Sequence, residues 1–304
     1  MLKIDISNIV NRIRIKITDR CNYRCFFCHG EGSIDFRKEL NKEDIEFVLK
    51  IFRNLGVRRL KITGGEPLLR EDIVYIVRKA KEIGYEDISL TTNGLLLDKY
   101  MYDLYKAGLD RIDISLHTLN CDKYIKITGT CREYFYKVVS NIEEISNINF
   151  KQVKINMLVT SINVEDILDM LKFAKKIGAT LQLIEYMPIG RGIAYFKKYY
   201  IPLKSIYYTL SRRAKFITFR RDIHNRPILN IDDVYVEFVM GFRNPDFCSG
   251  CRQLRLTSDG RLRYCIYRND EEDLYNLIKS RDVHGVVDRI LKLLSRKSPM
   301  FSKL

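Results

Sequence analysis

Along the first two thirds of the chain, apolar and polar residues alternate with a period of two over six short stretches, near residues 13–18, 59–63, 87–92, 111–115, 153–159 and 180–185. That period predicts strands. Each is followed by residues with helical periodicity: Asn41 starts one helix with Glu43 and Asp44 in its first turn, 70–83 reads as a second, and Asn163 caps a third with Asp166 three positions on. Six βα units imply parallel strands and an α/β fold, either a partial or complete βα barrel or an open doubly wound sheet. After Pro202 the pattern changes to short strands near 216–219, 228–231, 234–238, 254–257 and 261–264, with Asp259-Gly260 as a hairpin turn and an amphipathic helix over 283–295. The predicted division is a barrel-like unit of residues 1–204 and a smaller module of residues 205–304.

Strands of a parallel sheet covered on both faces are normally almost continuous apolar runs. Here Arg12, Arg14 and Lys16 alternate with isoleucines, Arg59, Lys61 and Thr63 with Leu60 and Ile62, Asp87, Ser89 and Thr91 with Ile88 and Leu90, and Lys154 and Asn156 with Val153, Ile155 and Met157. The apolar face must meet the helices, so the polar face lines the interior. This predicts a wet, cationic cavity shaped for an anion. Edge strands with one face in solvent give the same alternation, but on one or two strands rather than four.

The 304 residues suffice for one large domain or two ordinary ones, and 46% hydrophobic with 30% charged residues excludes a disordered chain. No apolar run approaches the roughly 20 residues of a membrane span. The 53 Lys and Arg against 38 Asp and Glu give a net charge of +15, a field that attracts nucleic acid, nucleotides or acidic membrane surfaces. Residues 1–10 carry no basic-then-apolar leader, so a reducing cytoplasm is the expected compartment and the eight cysteines are expected as thiols.

Three of those thiols form Cys21-x3-Cys25-x2-Cys28 directly after the first strand, at the strand end where the active sites of barrels sit. Structural zinc takes four ligands, and His29 follows Cys28 too closely to be a convenient fourth. Three thiolates suit a four-iron cluster with one iron left open better than zinc or unligated thiols. After the second strand, Gly64-Gly65-Glu66-Pro67 lets backbone approach a ligand and offers Glu66 as an acceptor, although Gly-Gly turns between strand and helix are common. A second trio, Cys248-x2-Cys251-x13-Cys265, lies among Arg252, Arg255, Arg261 and Arg263. By spacing alone, zinc with a remote His284 and an iron-sulfur cluster are equal readings, while the arginines favour a polyanion.

Cys21-x3-Cys25-x2-Cys28 with Gly64-Gly65-Glu66-Pro67 resembles the radical S-adenosylmethionine (SAM) superfamily. With the second trio, the chain resembles that superfamily's molybdenum cofactor biosynthesis protein A (GTP 3',8-cyclase) family from about Arg14 to Tyr267, in Thr18-Asp19-Arg20-Cys21-Asn22, Ile62-Thr63-Gly64-Gly65-Glu66-Pro67-Leu68, Thr91-Thr92-Asn93-Gly94, Ile184-Glu185-Tyr186-Met187 and Leu254-Arg255-Leu256-Thr257-Ser258-Asp259-Gly260. The resemblance implies a partial (β/α)6 TIM-type barrel with a small C-terminal α+β module carrying a second Fe-S cluster. It implies SAM and two 4Fe-4S clusters as cofactors, one on Cys21, Cys25 and Cys28 and one on Cys248, Cys251 and Cys265. It implies SAM contacts at Phe27, Gly64, Gly65, Glu66, Ser115 and Met187, and GTP contacts at Arg14, Lys61, Thr91, Lys154, Arg252, Gln253 and Arg255. No side chain is implied as the catalyst, because the radical arises on SAM. That radical takes the hydrogen from C3' of the ribose, and the carbon radical attacks C8, giving 3',8-cyclo-7,8-dihydro-GTP in molybdenum cofactor (molybdopterin) biosynthesis. The implied partners are an electron donor, a companion cyclic pyranopterin monophosphate synthase and a second copy of the chain, with neither membrane nor nucleic acid.

The sequence departs from that family in three places. Lys61 stands where arginine is common, and Gln253 where arginine is usual, with Arg252 beside it. No Gly-Gly pair ends the chain, which leaves the role of the C-terminus in the pocket open. Cys121 and Cys131 read as ordinary thiols, His117 as a structural histidine. The rival readings are a radical SAM enzyme acting on another substrate such as tRNA, and a nonenzymatic, metal-stabilised RNA-binding protein.

Overall fold

A computed structural model describes residues 4–30, 38–268 and 270–301, and among them twelve strands form one sheet. In chain order they are β1 (Arg12–Lys16), β2 (Arg59–Thr63), β3 (Asp87–Thr92), β4 (Arg111–Ser115), β5 (Gln152–Val159), β6 (Thr180–Glu185), β7 (Phe216–Arg220), β8 (Arg226–Ile231), β9 (Val234–Val239), β10 (Gln253–Leu256), β11 (Arg261–Arg263) and β12 (Glu271–Asp273). Strands β1 to β6 lie side by side in chain order and pair in parallel, as the alternation predicts. The parallel array does not stop there. β10 adds in parallel beside β1 and β9 in parallel beside β6, and the antiparallel pairs β10–β11–β12 and β9–β8–β7 finish the two edges.

On the strands, Ile13, Ile15, Leu60, Ile62, Ile88, Leu90, Ile112 and Ile114 are fully buried in the core, each contributing about 1.5–3 kcal/mol. The alternate positions are buried too: Arg12 and Lys61 are 6% exposed and Lys154 3%. A sheet edge facing solvent would leave them open, so the polar face lines the interior.

Helix Lys42–Asn54 opens on a capping box, the Asn41 side chain accepting from the Asp44 N–H and the Asp44 carboxylate from the Asn41 N–H. The next helix begins at Ile73 rather than near 70, because Pro67–Leu69 make a 3-10 turn and the Arg70 guanidinium is held by Asp72 and the Ile17 and Leu40 carbonyls. Asn163 does not cap a helix. Its Oδ1 accepts from Thr160 and its Nδ2 donates to the His117 and Leu158 carbonyls, tying the ends of β4 and β5 together, and the α-helix starts at Ile167.

The chain after β6 also packs against the barrel. The β7–β8 turn reaches across to the starts of β1 and β2, where Asp222 pairs with Arg59 and its carbonyl accepts from Asn11 Nδ2. Residues 240–252 run from the end of β9, where Phe242 N–H donates to Glu185, to the start of β10, where the Gly250 carbonyl accepts from His224 N–H in the β7–β8 turn and the Arg252 carbonyl from Asn11 N–H. No helix among the described residues is long and apolar enough to cross a membrane.

Candidate active site

The interior holds a cavity of about 830 Å³, and all six cysteines of the two trios line it. So does every residue expected to meet SAM or GTP, except Glu66.

The loop of the first trio is fixed from three directions. The Gly65 and Glu66 N–H groups donate to the Thr18 and Arg20 carbonyls, Asn93 Nδ2 donates to Asn22 Oδ1, and the Arg24 and Phe26 N–H groups donate to the Thr128 and Ile127 carbonyls. At Gly65 a Cβ would lie 2.2 Å from the Arg20 carbonyl oxygen, so only glycine permits this approach. Desolvation pushes the Cys21 thiol up to about 11, and burial with the neighbouring Cys28 and Cys21 pushes Cys25 up further. Holding Cys21 and Cys25 as thiolates therefore calls for bound metal, which offsets that cost. Among the described residues no three His, Cys, Asp or Glu side chains are arranged around a single metal ion; a four-iron cluster presents its irons at separate corners and needs no such convergence.

Glu66, expected at the SAM site, stands behind the cavity wall. Its carboxylate is buried, with Oε1 accepting from Leu68 N–H (3.0 Å) and Thr92 Oγ1 (2.7 Å) and Oε2 from Asn93 N–H (2.7 Å). Burial pushes its pKa up to about 7 against the pull of these donors. It binds the glycine loop to the end of β3, and the backbone at Gly64 and Gly65 faces the cavity instead. Ser115, Met187 and Phe27 stand on the same wall, the Phe27 ring edge-on to His117 at 4.9 Å. His117 Nδ1 accepts from Leu158 N–H, and burial lowers its pKa to about 4, so it is the hydrogen-bonded histidine expected and a wall residue as well.

At the second trio, the turn Pro245–Ser249 is capped by the Asn244 side chain, which accepts from Phe247 N–H, and Cys265 follows β11. Burial raises the Cys248 thiol, with Cys265 and Cys251 adding to it and the Phe301 and Met300 backbone opposing. The described part of the C-terminal segment therefore takes part in the pocket. Helix Val283–Ser295 returns the chain to the cavity, where Lys297, Ser298, Pro299 and Met300 line it and Lys297 Nζ donates to the Cys251 carbonyl at 2.9 Å.

Between the trios the cavity is cationic: ten Lys and Arg side chains line it against two carboxylates, Asp113 and Glu185. Lys61 meets Asp113 at 2.6 Å, Lys154 pairs with Glu237, and Arg226 reaches Glu237 at 3.1 Å. Burial brings the Lys61 pKa down to about 7, with Asp113 opposing. Burial would raise Glu237, but Lys154, Arg226 and Arg220 hold it well below the carboxylate range. Register brings the late residues in, since Gln253 lies opposite Arg12 and Arg255 opposite Arg14. Arg252 is partly spent elsewhere, its Nη2 donating to the Ser7 and Asn8 carbonyls. Arg12 Nε, Arg226 Nε, Arg252 Nε, Asn156 Oδ1 and Tyr267 Oη are buried without a partner on this same wall. Mostly donors, with an excess of positive charge, they fit an anionic nucleotide.

Arg12, Arg111, Asp113, Arg220, His224 and Arg226 are cavity residues that were not assigned to a ligand from sequence. The alternation marks Arg12, and extended to β4 it marks Arg111 and Asp113. Nothing local marks the other three, whose place follows from the pairing of β9 with β6. Cys121 and Cys131 are free thiols away from this wall.

Two family models match successive parts of the chain. Residues 15–174 match the Radical SAM superfamily and residues 179–303 match Molybdenum Cofactor Synthesis C. A protein named "Probable GTP 3',8-cyclase" from Pyrobaculum aerophilum is 42% identical over 299 residues, 96% of this chain and 95% of its own. One of the same name from Methanothermobacter marburgensis is 37% identical over 295 residues, 95% of each. Among solved structures, Streptococcus suis SuiB bound to S-adenosylmethionine superposes with a TM-score of 0.64 at 17% identity, over 92% of this chain and 68% of that one. Native anSMEcpe with bound AdoMet gives 0.59 at 15% identity, over 91% and 82%. At those identities the likeness is one of fold.

Proposed function

The chain belongs to the GTP 3',8-cyclase family of radical SAM enzymes, and from that premise we propose that it converts GTP to 3',8-cyclo-7,8-dihydro-GTP in molybdenum cofactor biosynthesis. Its cofactors are SAM and two 4Fe-4S clusters, with Cys21, Cys25 and Cys28 holding the first and Cys248, Cys251 and Cys265 the second. When bound, they supply the reducing electron, the 5'-deoxyadenosyl radical and an open iron for the guanine. The chain's own residues bind, orient and exclude water.

Phe27, Gly64, Gly65, Ser115 and Met187 bind SAM, with Glu66 behind them fixing the glycine loop. Arg14, Lys61, Thr91, Lys154 and Arg255 hold the triphosphate, joined by Arg12; Gln253 offers a hydrogen bond where an arginine would offer charge, and Arg252 anchors residues 7 and 8. The observation that carries this reading is the single cavity with a cysteine trio on either side of a cationic interior, so that one nucleotide can have its base at the second trio, its ribose toward the first and its phosphates among the cations. The barrel of residues 1–204 and the module of residues 205–304 act together: the β7–β8 turn and residues 240–252 cover the cavity and keep solvent from a carbon radical. An electron donor, a downstream cyclic pyranopterin monophosphate synthase, a homodimer and a cytoplasmic location complete the proposal.

The test is 5'-deoxyadenosine formation by anaerobically reconstituted, reduced protein with SAM, in the presence and absence of GTP. GTP should stimulate it; no stimulation with both clusters intact would sink the cyclase assignment. Cys25→Ala should abolish SAM cleavage, whereas Cys265→Ala should allow some uncoupled cleavage and no cyclised product.

A further inference from the structure

His224 precedes β8 with a φ of 58°, and Asn225 follows at 48°, two left-handed residues in succession without a glycine. Such backbone persists where its surroundings over-determine it. Here the His224 N–H donates to the Gly250 carbonyl at 2.8 Å, inside the loop between Cys248 and Cys251. The ring stacks face to face on Phe247, with centroids 4.0 Å apart and planes 3° from parallel. On its other side Arg226 Nη2 lies 3.1 Å from Nδ1. A guanidinium only donates, so Nδ1 accepts and the ring proton sits on Nε2. No described residue takes that proton, and the side chain lines the cavity beside Cys248 and Cys251.

A ring held by a stack on one face and a hydrogen bond at Nδ1, on a backbone tied to the Cys248–Cys251 loop, with one N–H left over at the second trio, is addressed to a ligand. We propose that His224 is a specificity-determining residue for the base, its Nε2–H meeting an acceptor on the six-position edge and so favouring a 6-oxo purine over a 6-amino one. The inference rests on the cyclase reading, which brings the base to the second trio. Guanine offers O6 and N7 as acceptors on that edge, whereas adenine turns an amino donor toward it at position six. A buried donor left facing another donor discriminates strongly.

The test is equilibrium binding of GTP and of 2,6-diaminopurine riboside triphosphate to the full-length protein, reconstituted anaerobically with both clusters and without SAM. The wild type should prefer GTP. His224→Phe keeps the stack and loses the donor, so the preference should fall about tenfold; His224→Gln, which keeps an N–H, should retain most of it. His224→Asn suits the left-handed backbone but is too short to reach, and should match the Phe variant. An unchanged preference in either donor-less variant, at wild-type iron content, would overturn the role of His224. Wild-type protein that binds no GTP would instead overturn the cyclase reading.

Discussion

Lys61 is buried against Asp113 with Arg14 and Arg111 nearby, and its pKa is brought down to about 7, chiefly by desolvation. A bound triphosphate adds negative charge beside it, so its pKa rises on binding and the complex takes up a proton. GTP affinity should then be level below pH 7 and fall as pH rises from 7 toward the pKa of the bound form, by up to about tenfold per unit. Calorimetry in buffers of different ionisation enthalpy reads that proton directly. Lys61→Arg, which does not titrate, should show neither the uptake nor the slope; equal slopes in the two proteins would assign the dependence to another group. The two adjacent glycines separate by degree. An added Cβ at Gly65 meets the Arg20 carbonyl at 2.2 Å, whereas at Gly64 it meets Thr18 at 3.1 Å. Gly65→Ala should weaken SAM binding roughly tenfold or more, with a smaller loss for Gly64→Ala, measured by equilibrium titration.

At the scale of elements, Asp44 has two jobs: it completes the capping box of helix Lys42–Asn54 and pairs with Lys279 and Arg281 from the C-terminal region. Asp44→Ala should cost about 1–2 kcal/mol, seen as a melting temperature lowered by roughly 2–4 °C per kcal/mol. A melt unchanged within a degree would mean that Asn41 caps alone. The six parallel strands could be read from sequence because their two faces have different tasks, isoleucine and leucine toward the helices and cations toward the ligand. Asn163 was misread because its spacing to Asp166 imitates a capping box, while its four hydrogen bonds all go to the ends of β4 and β5. β12 is three residues long and was not foreseen, since Glu271-Glu272-Asp273 carries no apolar alternation. β9 and β10 were visible as strands, but no local pattern tells that each has a parallel neighbour some distance back in the chain.

For the whole molecule, those two pairings decide how residues 205–304 relate to the rest. Without them β1 and β6 become open edges with buried cations and isoleucines exposed along them. Residues 1–204 expressed alone should therefore aggregate or remain partly unfolded, and a folded monomer on size-exclusion chromatography would show that the barrel does not need the two pairings. The +15 charge also gains an address. Part of it faces inward among Arg12, Arg14, Lys61, Lys154 and Arg255, which is why the cysteine motifs and the strand alternation led to the same cavity from independent starting points. On the ribosome β1 emerges first and its partner β10 nearly last. At about 5–20 residues per second, the strand holding Arg12 waits roughly 10–50 seconds for the one holding Gln253. The loop of Cys21, Cys25 and Cys28 finds its supports at Gly65, Asn93 and Thr128 in the first half of synthesis, whereas the second trio takes shape only as translation ends. On the proposed assignment of the two trios to iron, every part of the first centre is therefore synthesised well before the second, while the strand that leads into it still waits for β10.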